Sequence, residues 1–204
     1  MDIRFEKREH LQEKPDQKNL GFGKHFTDYM FVMDWDKEQG WHDAAIVPYG
    51  GIPMDPATMV LHYAQETFEG MKAYRTAEGK IQLFRPEMNA RRMIKSNERL
   101  CMPGVPEEMF VEAVKALVKA QEDWVPSEPG TSLYIRPFML RQALAYIWQN
   151  PTNSLSSPLR LEHTMQRAST RLRSWLRMNM SVQSKAAQAS QNAAVTMQAP
   201  SQAR

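Results

Sequence analysis

The sequence predicts an α+β domain over residues 1–140, followed by a tail of a different kind. Stretches typical of strands are interleaved with stretches typical of helices, which is the order expected of an α+β domain. After the second predicted helix, Pro126, Pro129 and Gly130 interrupt the chain. Beyond residue 180, Ser, Gln, Ala and Asn dominate and large apolar residues become rare.

Three strands are predicted within the domain. Residues 26–35 are rich in aromatic and apolar side chains, and residues 81–84 and 133–136 alternate between apolar and polar side chains. Because side chains alternate across a strand, this spacing places Tyr134 and Arg136 on the same face of the sheet.

Two helices are predicted between these strands. Residues 88–100 follow Pro86, and proline is common at the first position of a helix. Residues 107–124 carry the clearest helical pattern, with apolar side chains along one stripe and polar side chains on the other side. The residues of that stripe are Phe110, Val111, Val114, Leu117 and Val118.

The tail predicts little stable structure. Residues 159–180 have a ragged helical pattern, and the stretch after residue 180 holds too few large apolar side chains to offset the entropy lost on ordering. We therefore expect a largely disordered or weakly helical tail. Its composition also differs in charge, since residues 1–140 carry a net charge of −4 and residues 141–204 a net charge of +7.

Several classes of function are excluded or left without support by composition. Cys101 is the single cysteine, so a disulfide framework and a multi-cysteine metal site are excluded. No apolar run is long enough to span a membrane, and residues 1–10 are too charged for a secretory signal. The five histidines lack metal-ligand spacing, and no nucleotide-binding glycine loop or hydrolase motif is present. We expect a cytoplasmic protein with no membrane or nucleic-acid partner and no metal.

A set of longer motifs is more specific. These are residues 21–23 (GFG), 26–30 (FTDYM), 61–74 (LHYAQETFEGMKAY), 83–86 (LFRP), 89–93 (NARRM) and 130–137 (GTSLYIRP). In this order and spacing they resemble the N-terminal small domain of branched-chain amino-acid aminotransferases, which are fold-type IV enzymes that use pyridoxal 5′-phosphate (PLP). The resemblance covers residues 17–139, leaving residues 1–16 as an N-terminal extension and 140–204 as a tail without family pattern.

The resemblance implies roles for five residues. Arg92 matches the arginine that holds the PLP phosphate, and a guanidinium suits phosphate because it offers a fork of donors. Tyr63 and Phe68 match aromatic walls of the substrate pocket. Tyr134 and Arg136 match a pair that helps to receive substrate, with Arg136 facing the second carboxylate of glutamate. From composition alone, Arg92 and Arg136 could be solvent-facing residues, and Tyr63 and Phe68 could be core residues.

The resemblance also implies what this chain lacks. In the family, the lysine that bonds covalently to PLP lies in a second, larger domain, just before a Gly-Gly-Asn-Tyr motif, and the intact enzyme is a homodimer. The tail has one lysine, Lys185, and its neighbours match no family motif. We therefore expect no catalytic residue in this chain, no transamination, and weak PLP binding or none.

A shift of the reading frame near residue 140 would explain the tail. If the third base of each codon is read with the first two bases of the next, residues 191–198 permit Lys-Cys-Gly-Gly-Asn-Tyr-Ala, which resembles the family's lysine motif. Residues 180–191 permit Val-Arg-Ala-Val-Lys-Gly-Gly-Thr-Gly-Phe-Ala, and residues 151–157 permit Tyr-Lys-Phe-Ile-Ile-Ile. The tail is then an out-of-frame translation, and its positive charge is incidental.

Three functions remain at this point. The first is an inactive, frame-shifted and truncated branched-chain aminotransferase, whose intact form transfers the amino group of leucine, isoleucine or valine to 2-oxoglutarate. The second is a non-catalytic binding or dimerisation module with a basic tail. The third is a related PLP enzyme of fold-type IV with other substrates, which residues 68–72 and 133–137 make less favoured.

Overall fold

The computed structural model describes residues 1–56, 58–141 and 174–184. The strands are β1 Arg4–Phe5, β2 Tyr29–Asp36, β3 Gly40–Pro48, β4 Glu66–Phe68, β5 Met71–Arg75, β6 Ile81–Leu83, β7 Thr131–Arg141 and β8 Ser174–Ser184. The helices are α1 Met59–Tyr63, α2 Pro86–Arg99 and α3 Glu107–Ala120, with a 3-10 turn at Glu122–Trp124. None of the helices within the described residues is long and apolar enough to cross a membrane.

The strands form one mixed sheet. Its order is β1-β3-β2-β8-β7-β5-β6, and β4 pairs with β7 beside β5. Only the β1–β3 pair is parallel, and the other pairs within the described residues are antiparallel. The sheet and its helices make an α+β fold, as the sequence predicts.

The core lies between one face of the sheet and the helices α2 and α3. Helix α3 buries most of the apolar stripe predicted from the sequence, with Phe110, Val114 and Leu117 fully inaccessible to solvent and Val111 partly buried. These side chains belong to the same buried cluster as Leu133 and Ile135 of β7. Burial of such aliphatic and aromatic side chains is the main favourable term in folding.

The predicted elements of the domain are confirmed, with small changes at their ends. The strand expected at residues 26–35 is β2, the strand at 81–84 is β6, and the strand at 133–136 is the middle of the longer β7. The helix expected at 88–100 is α2, and the one at 107–124 ends as α3 at Ala120 before the 3-10 turn.

The expectation of a largely disordered or weakly helical tail is wrong for residues 174–184. These residues form β8, which pairs with β7 along its whole length and with β2 on its other side. The physical reason is a period of two in the sequence, because Leu176, Met178, Met180 and Val182 alternate with polar residues and are all buried. The remaining expectations for the tail fall outside the described residues.

The segment between β4 and β5 positions the candidate site. Both strands pair with β7, Phe68 opposite Phe138 and Met71 opposite Ile135, so residues 69 and 70 bridge two short strands. The backbone N–H of Glu69 donates to the carbonyl of Pro137 at 2.8 Å, which holds this bridge against β7.

Candidate functional site

Part of the candidate site lies on the face of the sheet opposite helices α2 and α3, which we call the open face, and part is carried by α2 itself. Leu133, Ile135 and Met139 of β7 point into the core beneath α2 and α3. Strand alternation therefore places Tyr134 and Arg136 on the open face, as the sequence predicts.

Arg136 lies between two aromatic rings. Its Cζ is 4.5 Å from the centroid of the Phe68 ring and 5.1 Å from that of Tyr134. A guanidinium at such distances is attracted to the electron-rich faces of the rings. The ring of Tyr134 also lies 5.7 Å from that of Phe22. The arrangement holds a cation next to apolar surface, which suits an anionic ligand with an apolar part.

Tyr134 stands over a glycine. A Cβ placed on Gly70 would lie 2.5 Å from the Tyr134 hydroxyl oxygen and 3.2 Å from Cζ. Such distances are too short for van der Waals contact, so a larger residue at position 70 would displace the ring. Burial raises the pKa of Tyr134, and the neighbouring positive charge of Arg136 partly opposes the rise. The phenol therefore stays protonated and serves as a neutral donor or acceptor at physiological pH.

Arg92 of α2 makes a two-point ion pair with Glu69. Nε of Arg92 donates to Oε1 of Glu69 at 2.8 Å, and Nη2 donates to Oε2 at 2.5 Å. The Glu69 side chain is 3% exposed, whereas that of Arg92 is 67% exposed. The carboxylate raises the pKa of Arg92 by hydrogen bonding and by its charge. The buried Glu69 carboxylate thus fixes the Nε side of an otherwise exposed Arg92 guanidinium.

Asn89 completes this cluster. Its side-chain amide donates to Glu69 Oε2 at 2.8 Å and to the carbonyl of Gly70 at 3.2 Å. One turn of helix separates Asn89 from Arg92, so both side chains reach the same bridge between β4 and β5. α2 is itself opened by Pro86, whose fixed φ suits the first turn.

The neighbouring arginine is paired in a similar way on the protein surface. Nε of Arg91 donates to Oε2 of Glu107 at 2.7 Å, and Nη2 donates to Oε1 at 3.1 Å. Glu107 lies at the start of α3, and its side chain is 33% exposed. The Arg91-Arg92 doublet therefore divides between two carboxylates, one on the surface and one buried beside Gly70.

Four of the five residues implied by the resemblance come together around the bridge between β4 and β5. Phe68, Tyr134 and Arg136 share aromatic and cation contacts, and Arg92 is attached through Glu69.

Tyr63 is the last residue of α1, and within the described residues its ring contact is with His62, at 6.4 Å between centroids. Tyr63 and Phe68 are each 61% exposed, so neither is a core residue in this structure.

Glu69, Gly70 and Asn89 are not predicted from the sequence as site residues. All three lie inside the quoted motifs, but nothing in the spacing reveals that a glutamate on a strand pairs with an arginine 23 positions later on a helix. The adjacent charges of residues 91 and 92 do not by themselves distinguish the two arginines, and the resemblance alone singles out Arg92. In the part of the chain that the structure describes, no group of three or more His, Cys, Asp or Glu residues could hold a metal ion.

Comparison with known proteins confirms the resemblance over about two thirds of the chain. "Branched-chain-amino-acid transaminase 1" of Bacillus subtilis is 52% identical over 138 residues, which are 68% of this chain and 39% of the relative. A probable branched-chain-amino-acid aminotransferase of Staphylococcus epidermidis is 54% identical over 137 residues, or 67% of this chain and 38% of the relative. The chain thus spans about two fifths of the length of these curated relatives. No family model matches it.

Solved structures give weaker matches. The holo form of the branched-chain amino acid aminotransferase of Thermobaculum terrenum has a TM-score of 0.47 and 18% identity, over 78% of this chain and 41% of that one. The branched-chain aminotransferase of Thermoproteus uzoniensis with norvaline has a TM-score of 0.47 and 19% identity, over 74% of this chain and 40% of that one.

Proposed function

We propose that residues 17–139 are the small domain of a branched-chain amino-acid aminotransferase, and that the 204-residue chain does not itself catalyse transamination. The observation that carries the first part is the sequence identity of 52% and 54% with two curated relatives of that name, over 138 and 137 residues. The intact enzyme would transfer the amino group of leucine, isoleucine or valine to 2-oxoglutarate, giving a branched 2-oxo acid and glutamate.

The residues of the candidate site suit this role. Arg92 would hold the phosphate of PLP, because its exposed guanidinium keeps donors beyond those that Glu69 takes. Phe68 and Tyr63 would contact the branched side chain of the substrate through their exposed rings. Arg136 would pair with the second carboxylate of glutamate, with Tyr134 beside it. When bound, PLP supplies the electron sink for the reaction.

The absent covalent partner of PLP is the reason to expect no activity. In this family the reaction needs a lysine in the setting Gly-Gly-Asn-Tyr, and no lysine of residues 1–204 has that setting. We propose that binding of PLP to this chain is weak and depends on its phosphate.

We also propose that residues 140–204 are an out-of-frame translation of the catalytic domain. The support is the neighbouring codon register, which permits the family's lysine motif over residues 191–198. The presence of β8 within this stretch is compatible with the proposal. Pairing in the middle of a sheet uses backbone groups, and a simple alternation of apolar side chains is enough to fill the core side.

The proposal includes a cellular compartment and an oligomeric state. A single cysteine fits a reducing compartment, and we propose that the protein acts in the cytoplasm. We propose that the intact enzyme is a homodimer that binds amino acids and 2-oxo acids.

An assay of the purified chain tests the central statement. The chain is mixed with PLP, leucine and 2-oxoglutarate, and glutamate is measured against a control without protein. We expect no glutamate above the control. Clear formation of glutamate would contradict the proposal.

A further inference from the structure

The ion pair between Arg92 and Glu69 leaves part of the guanidinium available. Glu69 accepts from Nε and Nη2, which form one edge of the planar group. Within the described residues, no hydrogen bond is recorded for Nη1. A guanidinium has five N–H donors in a fixed fork, so the edge formed by Nη1 and the second N–H of Nη2 can still take two oxygens of a phosphate.

The anionic member of this ion pair, Glu69, is unusual because its side chain is almost fully buried. A buried carboxylate is costly unless it is paired and hydrogen-bonded, and Glu69 meets both conditions through Arg92 and Asn89. Glu69 is also fixed at the backbone, because its N–H donates to Pro137 on the central strand β7. The carboxylate is therefore a rigid point to which the long and mobile arginine side chain is attached.

The surface pair of Arg91 and Glu107 lacks these features. It has similar two-point geometry, but Glu107 is a third exposed and lies on the first turn of α3. Exposed pairs of this kind contribute little, because solvent screens the charges and both side chains lose freedom. The two neighbouring pairs therefore provide a matched comparison within one helix.

We propose that Glu69, held by Asn89, is a positioning residue that orients Arg92 so that its outer edge receives the phosphate of a phosphorylated ligand. The proposal rests on the phosphate role given to Arg92 in the proposed function. Glu69 itself makes no contact with the ligand. It fixes the rotamer of Arg92 in advance, so that less conformational entropy is lost when phosphate binds.

The test measures how much a phosphate group on a ligand strengthens its binding to the chain. Pyridoxine 5′-phosphate and pyridoxine differ only in that group, and neither carries the aldehyde that reacts with lysines. Their dissociation constants for the 204-residue chain are measured by calorimetry, and the ratio of the two is the phosphate preference. We expect Glu69→Gln to reduce this preference by about tenfold, by analogy with the lower end of the loss in affinity when the hydrogen-bond partner of a metal-ligating side chain is removed.

Companion variants separate positioning from general damage to the fold. Glu107→Gln should leave the phosphate preference unchanged, whereas Glu69→Asp, which keeps the charge, should retain part of it. Asn89→Ala removes one support of Glu69 and should cause a smaller loss in the same direction. This last variant keeps the test decisive if Glu69→Gln does not fold, as judged by circular dichroism.

The outcomes distinguish the two proposals. A phosphate preference that Arg92→Gln abolishes and Glu69→Gln leaves intact would overturn the positioning role while the proposed function stands. An equal loss in the Glu107→Gln variant would also overturn it. If the unmodified chain shows no phosphate preference at all, the phosphate role of Arg92 fails, and the positioning role fails with it.

Discussion

The hydroxyl oxygen of Tyr134 lies 2.5 Å from the point at which a Cβ on residue 70 would stand. The backbone at residue 70 therefore lies closer to the Tyr134 ring than a side chain at this position would allow, and only glycine fits without a shift. This contact joins the two halves of the candidate site, because Glu69 next to Gly70 holds Arg92 and Tyr134 stands beside Arg136.

A methyl group at position 70 should disturb this contact. We expect Gly70→Ala to lower the free energy of unfolding by about 1–3 kcal/mol, the usual cost of overpacking, measured by urea unfolding. Gly104→Ala is the control, since its nearest neighbour would be Ile94 Cγ2 at 3.7 Å. In a Tyr134→Phe background the hydroxyl is gone and the cost should fall. An equal cost in both backgrounds would mean that Tyr134 is not the obstacle.

Truncation of a side chain in β8 tests whether residues 174–184 are a central strand. Met178 is fully buried, and its replacement by alanine should cost about 2–5 kcal/mol of unfolding free energy. Asn179 points to the other face, and Asn179→Ala should cost less than about 1 kcal/mol. Urea unfolding followed by circular dichroism measures both. If Met178→Ala unfolds like the unmodified chain, the segment does not occupy the sheet.

The pH dependence of Tyr134 follows from its burial. Its pKa is raised above the ordinary value of 10.0, so the folded state holds this proton more tightly than the unfolded state does. The contribution to stability is therefore complete below pH 10.0 and is lost as pH rises through the folded value. The absorbance difference between the unmodified chain and Tyr134→Phe during alkaline titration should show a midpoint above 10.0. A midpoint at or below that value would contradict the burial of the hydroxyl group.

The parts of the fold that could be predicted are those with a strong local pattern. Helix α3 has a continuous apolar stripe and a polar opposite face, and the structure buries that stripe. β7 could be predicted only at residues 133–136, because Pro137 follows them directly and the next three residues are all apolar and do not alternate. β4 has only three residues, and its sequence Glu-Thr-Phe shows no alternation of apolar and polar side chains.

The strand β8 could not be recognised because two periods overlap in the same residues. Leu172 and Leu176 fit a ragged helix, whereas Leu176, Met178, Met180 and Val182 alternate as in a strand. The choice between them depends on the gap between β2 and β7, which is a long-range feature of the sheet. A local pattern does not contain that information.

The candidate site, like the fold, has a part that the sequence predicts and a part that it does not. Alternation alone places Tyr134 and Arg136 on one face, and the structure confirms that placement. The attachment of Arg92 to Glu69 depends on how α2 packs beside the bridge between β4 and β5, and no sequence spacing predicts it. The phosphate roles of Arg92 and Glu69 are predictions that the binding variants above test.

The nucleotide sequence that encodes residues 137–204 tests the central claim most directly. Starting from the third base of each codon, the codons for residues 191–198 should encode Lys-Cys-Gly-Gly-Asn-Tyr-Ala, with the family pattern continuing upstream towards residue 140. A neighbouring register that is interrupted by stop codons, or that encodes no such motif, would contradict the claim that the tail is a displaced reading of a catalytic domain.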